Sequence, residues 1–255
     1  MKTYKKTLSL MAAAACVGIA LPQAGMAGDA SKHGKKTDLR QAAKASTVEG
    51  MELLGQNGNE LGTIDDIVVS AETGKIDSFV VSTGFLGIGG PHREISIDMI
   101  DGRDVESRDV LTSLDGADFD GAPIFDEDEF ERRREANEEG VNRKLMLVET
   151  FNSEFEDKDG ATHGEIHDWI VDVNNGRVPF VIVRVLSPSP TGHHNYFAVG
   201  TNRVAGVTSD GNVVMDIDGG AFLNAEHIDD EEPLMRDDDA DVYQFRYNPS
   251  AVISQ

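Results

Sequence analysis

Cysteine and tryptophan are nearly absent from this chain of 255 residues, which has one of each, Cys16 and Trp169. Cys16 lies in a leader that we expect to be removed, so we predict a mature chain without disulfides, thiol nucleophiles or cysteine metal ligands. Aromatic residues are also few, at 6%, and 8 prolines stand against 26 glycines. The sequence therefore predicts a turn-rich globular protein whose core is mainly aliphatic.

Basic residues are also few. The chain has 23 Lys and Arg and 46 Asp and Glu, which gives a net charge of −23. Phosphate binding needs a basic surface, so the composition predicts no nucleic-acid partner. We interpret the acidity as a means of keeping the protein soluble, with repulsion between like charges as its cost.

A long hydrophobic run occurs only near the start, in residues 8–21. Lys2, Lys5 and Lys6 precede this run and small residues follow it up to Ala27, the three-part pattern of a secretory signal peptide. The run is shorter than the about 20 residues that span a bilayer, so we predict cleavage after Ala27 and no stable membrane insertion. The expected location is periplasmic or extracellular.

Residues 28–47 carry several lysines and almost no large apolar residue except Leu39. Such a segment cannot bury enough surface to offset the entropy lost on ordering, so we predict a flexible arm.

An internal repeat begins after this arm, at an offset of 102 residues. Turn residues, glycines and apolar residues recur without a gap from residue 57 to residue 97. The matched pairs include Asn57-Gly58 with Asp159-Gly160, Gly62 with Gly164, Ile64 with Ile166, Asp66 with Asp168, Gly74 with Gly176, Val81 with Val183, and Ile95 and Ile97 with Phe197 and Val199. After a one-residue insertion, Val110 matches Val213 and Phe119 matches Phe222.

Each copy has the pattern of short strands joined by tight turns. The sequence predicts strands at 49–56, 60–70, 75–83, 93–100 and 109–114, and at 163–173, 177–186, 196–201 and 212–217. Asn57-Gly58 is a typical two-residue hairpin turn. We therefore expect an all-β fold in which each copy closes into a small barrel and buries its own aliphatic interior.

Residues 126–139 form the one segment with a helical pattern, in which Asp126 and Glu129 have the spacing of a capping box. The predicted organisation is a first domain at 48–125, a linker helix at 126–143 and a second domain at 144–228. Residues 229–255 form an acidic tail, and the alternation of Tyr243, Phe245 and Tyr247 could add a terminal strand.

These residues resemble the PRC-barrel domain family. The segment from Gly62 to Val69, followed by Gly74, Lys75 and Ile76, is similar to the family's opening strand, turn and strand, and residues 164–178 are a looser match. The resemblance implies two tandem copies of a binding barrel with no common chemistry.

A glycine-rich loop at 84–90 presents Phe85, Leu86 and Ile88. Clustered apolar residues at a loop tip rarely remain in water without a reason, so we predict that these three bind a partner. The second copy has Leu186-Ser187-Pro188-Ser189-Pro190 instead, which puts this role in doubt there.

Metal and catalytic sites are weakly indicated. His163 and His167 would lie about 13 Å apart on a strand, too far for one zinc ion. Asp118 and Asp120 fit an EF-hand loop only in part, and we interpret them as belonging to an acidic turn. The paired carboxylates Asp65 and Asp66, like Glu165 and Asp168, are expected to accept hydrogen bonds at turns and strand edges.

We therefore predict an exported, non-enzymatic binding or assembly module of the cell envelope, with an envelope protein as partner and without catalytic residues, metal or cofactor. The alternatives are a metal-dependent envelope enzyme built on the second copy and a stress or solute-tolerance protein acting through its acidic surface.

Overall fold

The computed structural model describes residues 42–83, 90–104, 108–135, 141–185 and 195–217. These residues all lie in one compact unit and are mostly strands. The first half contains β1 Ala43–Lys44, β2 Glu52–Leu54, β3 Glu60–Ser70, β4 Lys75–Ser82, β5 His92–Ser96, β6 Ile100–Asp104 and β7 Asp109–Thr112. The second half contains β8 Val141–Asn142, β9 Lys144–Met146, β10 Glu154–Asp157, β11 Thr162–Asp172, β12 Arg177–Val185, β13 Asn195–Gly200, β14 Val204–Thr208 and β15 Val213–Met215.

Helices are short in the described residues. They are α1 Ala45–Val48, α2 Gly116–Asp120 and α3 Glu127–Glu135. The amide of Glu129 donates to Asp126 Oδ1 at 2.8 Å, which satisfies one of the free N–H groups at the start of α3. Residues 136–139 of the predicted helix lie outside the described residues, and its role as a linker stays a prediction.

The long hairpins form where the sequence predicts them. β3 occupies the predicted range 60–70, β4 and β12 each end one residue earlier than predicted, and β11 begins and ends one residue earlier. Gly58 and Gly160 have φ of 71° and 80°, so each hairpin turn uses the left-handed conformation that glycine adopts without strain.

Strand register repeats between the two halves. Leu53 pairs with Gly62 and Phe155 pairs with Gly164, and each ladder has a bulge at the next residue. In β3–β4 and β11–β12, Ile64 pairs with Val81 and Ile166 with Val183. The same short parallel pairing follows in both halves, between β2 and β7 and between β10 and β15.

The sequence correspondence is wrong after the loops that follow β4 and β12. Phe79 pairs with Ile95, whereas Val181 pairs with Val199, so Ile95 corresponds to Val199 and not to Phe197. The second loop is therefore two residues longer. An insertion of two leaves inward and outward positions unchanged, because side chains alternate with a period of two.

The two halves exchange the segments at their starts. β1 pairs with β11, placing Ala43 opposite Val171, and β9 pairs with β3, placing Leu145 opposite Val69. These pairings are related by the 102-residue offset, so each half supplies a strand to the other. The halves also meet at the starts of β4 and β12, where the amides of Ile76 and Val178 donate to the carbonyls of Gly176 and Gly74.

Residues 42–47 correct the predicted arm. Ala42, Ala43 and Ala45 are buried, and this segment forms β1 and the start of α1. These small side chains are buried because β1 pairs with β11 of the other half, a contact that does not need a large apolar residue in the segment. The signal peptide, residues 28–41 and the acidic tail lie outside the described residues. No helix in the described ranges is long and apolar enough to cross a membrane.

The core is shared. One cluster of buried residues contains Leu53, Ile64 and Phe79 of the first half together with Phe155 and Trp169 of the second. The prediction that each copy buries its own interior is therefore wrong, because the exchanged segments join the two. Closed barrels are not confirmed either, since the described strands form one sheet whose ladder does not close.

Candidate functional site

The predicted partner-binding residues Phe85, Leu86 and Ile88 lie outside the described residues. The structure describes the frame from which their loop leaves. β4 and β5 pair in register up to Ser82 and His92, which are the last residues before the loop on each side. Just beyond them, the hydroxyl of Thr83 donates to the carbonyl of Pro91 at 3.0 Å. The ends of the loop are thus held together.

Polar side chains lie at the base of this loop. Ser82 Oγ donates to Asp65 Oδ1 at 3.0 Å, and Asp65 Oδ2 lies 3.4 Å from His92 Nε2. The side chains of Asp65 and His92 are 38% and 47% exposed, so this ion pair forms only when the histidine is protonated and is screened by water. The carboxylate stands between the hydroxyl and the imidazole.

The corresponding position in the second half carries a different set of side chains. Arg184 donates to Glu165, which raises the pKa of the guanidinium. The rings of His167 and Tyr196 lie 4.7 Å apart between centroids. Because the second loop also differs in length and sequence, the two loop bases present different chemistry on equivalent frames.

Asp66 and Asp168 hold the exchanged segments. Asp66 Oδ1 accepts from the amides of Ile67 at 2.6 Å and Val148 at 2.9 Å, and Oδ2 accepts from Glu149 at 3.3 Å. Burial raises the pKa of Asp66 to about 7 in spite of these three hydrogen bonds, and the charge of Glu149 adds to the rise.

Asp168 makes the equivalent contacts in the other direction. Its Oδ1 accepts from the amides of Trp169 at 2.8 Å and Ser46 at 3.3 Å, and its Oδ2 accepts from Ser46 Oγ at 2.5 Å. The expected hydrogen-bonding role of these two carboxylates is therefore confirmed, but no sequence pattern indicated that some of the donors belong to the other half. The available signal was that an aspartate stands at the same place in each repeat.

Asp157, which precedes the turn between β10 and β11, also accepts local hydrogen bonds. Asp157 Oδ1 accepts from the amides of Asp159 and Ala161, and Asp157 Oδ2 lies 2.7 Å from His163 Nε2. The hydrogen bond with His163 is the main reason that the pKa of Asp157 falls to about 2. The turn between β10 and β11 is therefore an acidic hairpin turn.

Asp118 and Asp120 correct the other expectation, because they lie in α2 and not in a hairpin turn. Asp115 begins this helix by accepting the amide of Asp118 at 2.8 Å. Across the described ranges, no group of three His, Cys, Asp or Glu side chains is arranged to hold a metal ion.

Comparison with known families gives one match. Residues 41–119 match the PRC-barrel domain, a β fold that is in general a non-catalytic module. The match covers β1–β7, α1 and all but the last residue of α2, and it includes the frame of the 84–89 loop. No curated protein matches this chain.

Proposed function

We propose that this chain is an exported, non-enzymatic binding module of the cell envelope, and that it holds a protein partner through Phe85, Leu86 and Ile88. The observation that carries the proposal is the PRC-barrel match at residues 41–119, within which these three apolar residues fall in a loop between paired strands.

The frame supports this role. β4 lies between β3 and β5, and Phe79 and Val81 of β4 are fully buried in the shared core. A loop that leaves such a strand starts from a fixed position, which lowers the entropy lost when it binds. Large apolar side chains then supply the favourable term on burial against a partner.

Residues 144–228 complete the proposal as a second PRC-barrel-like copy. Its strand register repeats that of the first half, and its hairpins carry the same left-handed glycines. We assign partner binding to the first copy alone because Leu186-Ser187-Pro188-Ser189-Pro190 replaces the glycine-rich apolar segment.

A non-enzymatic role agrees with the arrangement at the loop base. A serine nucleophile needs an imidazole next to its hydroxyl, with a carboxylate behind the imidazole. Here Asp65 stands between Ser82 and His92, so the hydroxyl donates to the carboxylate and not to the imidazole, which is not the order of a serine triad. The competing hypothesis of a metal-dependent enzyme is tested by measuring whether the purified protein carries stoichiometric zinc or calcium.

Export is part of the same proposal and rests on residues 1–27. The expected mature protein begins at Gly28 and is recovered from the periplasm or the medium. N-terminal sequencing of the mature protein tests this, and recovery of the uncleaved chain in the cytoplasm contradicts it.

The binding test uses the chain immobilised on a support and exposed to envelope extract. Replacing Phe85, Leu86 and Ile88 together by Ser is expected to abolish retention of the partner, measured by quantitative mass spectrometry. The matched control replaces three exposed apolar residues elsewhere in the first half, Met99, Leu111 and Ile124, by Ser. Both variants should unfold at the wild-type temperature.

The result that supports the proposal is a protein retained by the wild type and the control variant but lost from the loop variant. Equal retention by all three contradicts it. Loss from both variants would assign binding to general surface hydrophobicity and would equally contradict a role for this loop.

A further inference from the structure

The outer face of the first half shows how this fold covers an apolar sheet. Val68, Val80 and Met146 form a small buried cluster on the side of the sheet away from the main core. Phe125 and Phe130 pack on it, with their ring centroids 5.8 Å apart. These two rings flank four acidic residues, 126–129, which begin α3.

The covering segment is fixed to the edge of the sheet. It runs beside β5, where the amide of Glu94 donates to the carbonyl of Pro123 at 2.9 Å and the amide of Phe125 donates to His92 at 2.9 Å. Arg93 and Ile124 form an antiparallel bridge between these bonds. The cover thus begins as an added edge strand and continues as a helix.

The equivalent face of the second half is more apolar at four positions, whereas Lys44 stands where the first half has Met146. Ile170 and Ile182 replace Val68 and Val80 at the 102-residue offset, while Phe180 replaces Ser78. At the offset of 104 that applies after the loops, Ala198 replaces Glu94. The hydrogen bond between Ser78 and Glu94 in the first half therefore has no counterpart in the second.

These four residues of the second half are 0 to 7% exposed. The described apolar residues that pack with them are Ala42 and the partly buried Tyr196. An alanine and one partly buried tyrosine are too small to cover four side chains spread over three strands. Ala42 and Tyr196 thus give this face a smaller apolar cover than Phe125 and Phe130 give its counterpart.

The sequence after β15 repeats the covering segment of the first half. At the offset of 103 that relates Val110 to Val213, seven of the 19 positions in 115–133 are identical to those in 218–236. The identities are Asp115 with Asp218, Gly116 with Gly219, Phe119 with Phe222, Ala122 with Ala225, Asp126 with Asp229, Glu129 with Glu232 and Arg133 with Arg236.

We propose that residues 225–235 cover the face formed by Ile170, Phe180, Ile182 and Ala198, as residues 122–132 cover its counterpart. Ile228 takes the position of Phe125, and the four acidic residues 229–232 take the positions of 126–129. The acidic run that the sequence analysis assigned to a solvated tail is then the outward side of a docked segment.

One difference between the copies is compensated within the face. Pro233 stands where the first half has Phe130, so one aromatic ring is missing from the cover. The sheet supplies a ring in its place, because Phe180 stands where the first half has Ser78. Proline also lacks the N–H that Phe130 donates to the carbonyl of Asp126 at 2.9 Å, so Pro233 cannot make the equivalent hydrogen bond.

A disulfide cross-link tests this placement, since the mature chain has no cysteine of its own. Ala198 and Glu226 correspond to Glu94 and Pro123, which face each other across the edge strand. The doubly substituted chain A198C/E226C is expected to form an intramolecular disulfide under mild oxidation, as is E94C/P123C, the positive control. The terminal aromatic segment around Phe245 is the competing candidate for covering this face. A disulfide in A198C/F245C would show that this segment lies there.

The readout is faster migration on a non-reducing gel, independent of protein concentration and reversed by reductant. The proposal is supported if E94C/P123C and A198C/E226C form the disulfide and A198C/F245C does not. Absence of the 198–226 link while the 94–123 link forms would overturn it, as would a 198–245 link of equal yield.

A stability measurement gives an independent test. I228D puts a charge into the proposed apolar contact and is expected to lower Tm by about 5 °C or more, while F245D leaves Tm unchanged. A lower Tm for F245D together with an unchanged Tm for I228D would assign the cover to the terminal segment and overturn the proposal.

Discussion

Asp66 gives the sharpest prediction, because its ionisation opposes its burial. The pKa of Asp66 rises from its ordinary value of 3.8 to about 7. Folding therefore favours the protonated form. The contribution of protonated Asp66 to stability is complete below pH 3.8 and is lost as the pH rises through 7. Each pKa unit corresponds to about 1.4 kcal/mol, so the free energy of unfolding falls by about 4 kcal/mol across this window.

The substitution D66N separates this effect from other titrations. Asparagine keeps an oxygen that accepts from Ile67 and Val148 but loses the acceptor that faces the amide of Glu149 at 3.3 Å, at a cost of about 1 kcal/mol. We expect D66N to be less stable than the wild type by about 1 kcal/mol at pH 4 and more stable by about 3 kcal/mol at pH 8.

The assay is urea unfolding between pH 4 and pH 8. Fluorescence of Trp169, the single tryptophan and fully buried, follows the loss of structure. D168N serves as the matched substitution, since it removes the equivalent carboxylate from the other half. A stability difference between the wild type and D66N that stays constant with pH would refute the reasoning.

Three further predictions concern the same frame. S46A removes the hydroxyl that donates to Asp168 and should lower the free energy of unfolding by about 1–3 kcal/mol in the same urea assay; a neutral result contradicts the role of this contact. H163Q removes the main cause of the lowered pKa of Asp157, whose stabilising effect is present above pH 3.8 and is lost as the pH falls through 2. Its acid unfolding midpoint, followed by circular dichroism, should therefore move to higher pH, and an unchanged midpoint would count against the pair. G62A places a methyl group against the carbonyl oxygen of Ser82 in β4 and should destabilise the fold by about 1–3 kcal/mol; wild-type thermal stability would show that the strands can separate at no cost.

Local patterns in the sequence predicted the long hairpins. The range 60–70 of β3 and the left-handed glycines at 58 and 160 follow from β-branched residues and turn residues, which act within a few positions of the chain. β6 was missed because Ile-Asp-Gly-Arg-Asp has neither strand alternation nor β-branched residues beyond its first position.

The exchange of segments could not be predicted in the same way. Ala43 and Ser46 have no strong local preference, and their positions depend on β11 and Asp168, more than 120 residues away. The sequence indicated the carboxylates Asp66 and Asp168, but not that the other half supplies some of the amides that donate to them. The partner-binding role of Phe85, Leu86 and Ile88 stays a prediction.

The exchanged strands β1 and β9 also determine how the fold responds to dilution. If the halves were separate molecules, their pairing would weaken as their concentration fell. Covalent linkage replaces that dependence with a local concentration on the order of millimolar, whatever the amount of protein present. A single cut in the backbone between Glu135 and Val141 would restore the dependence, so a nicked sample should dissociate on dilution while the intact chain remains assembled.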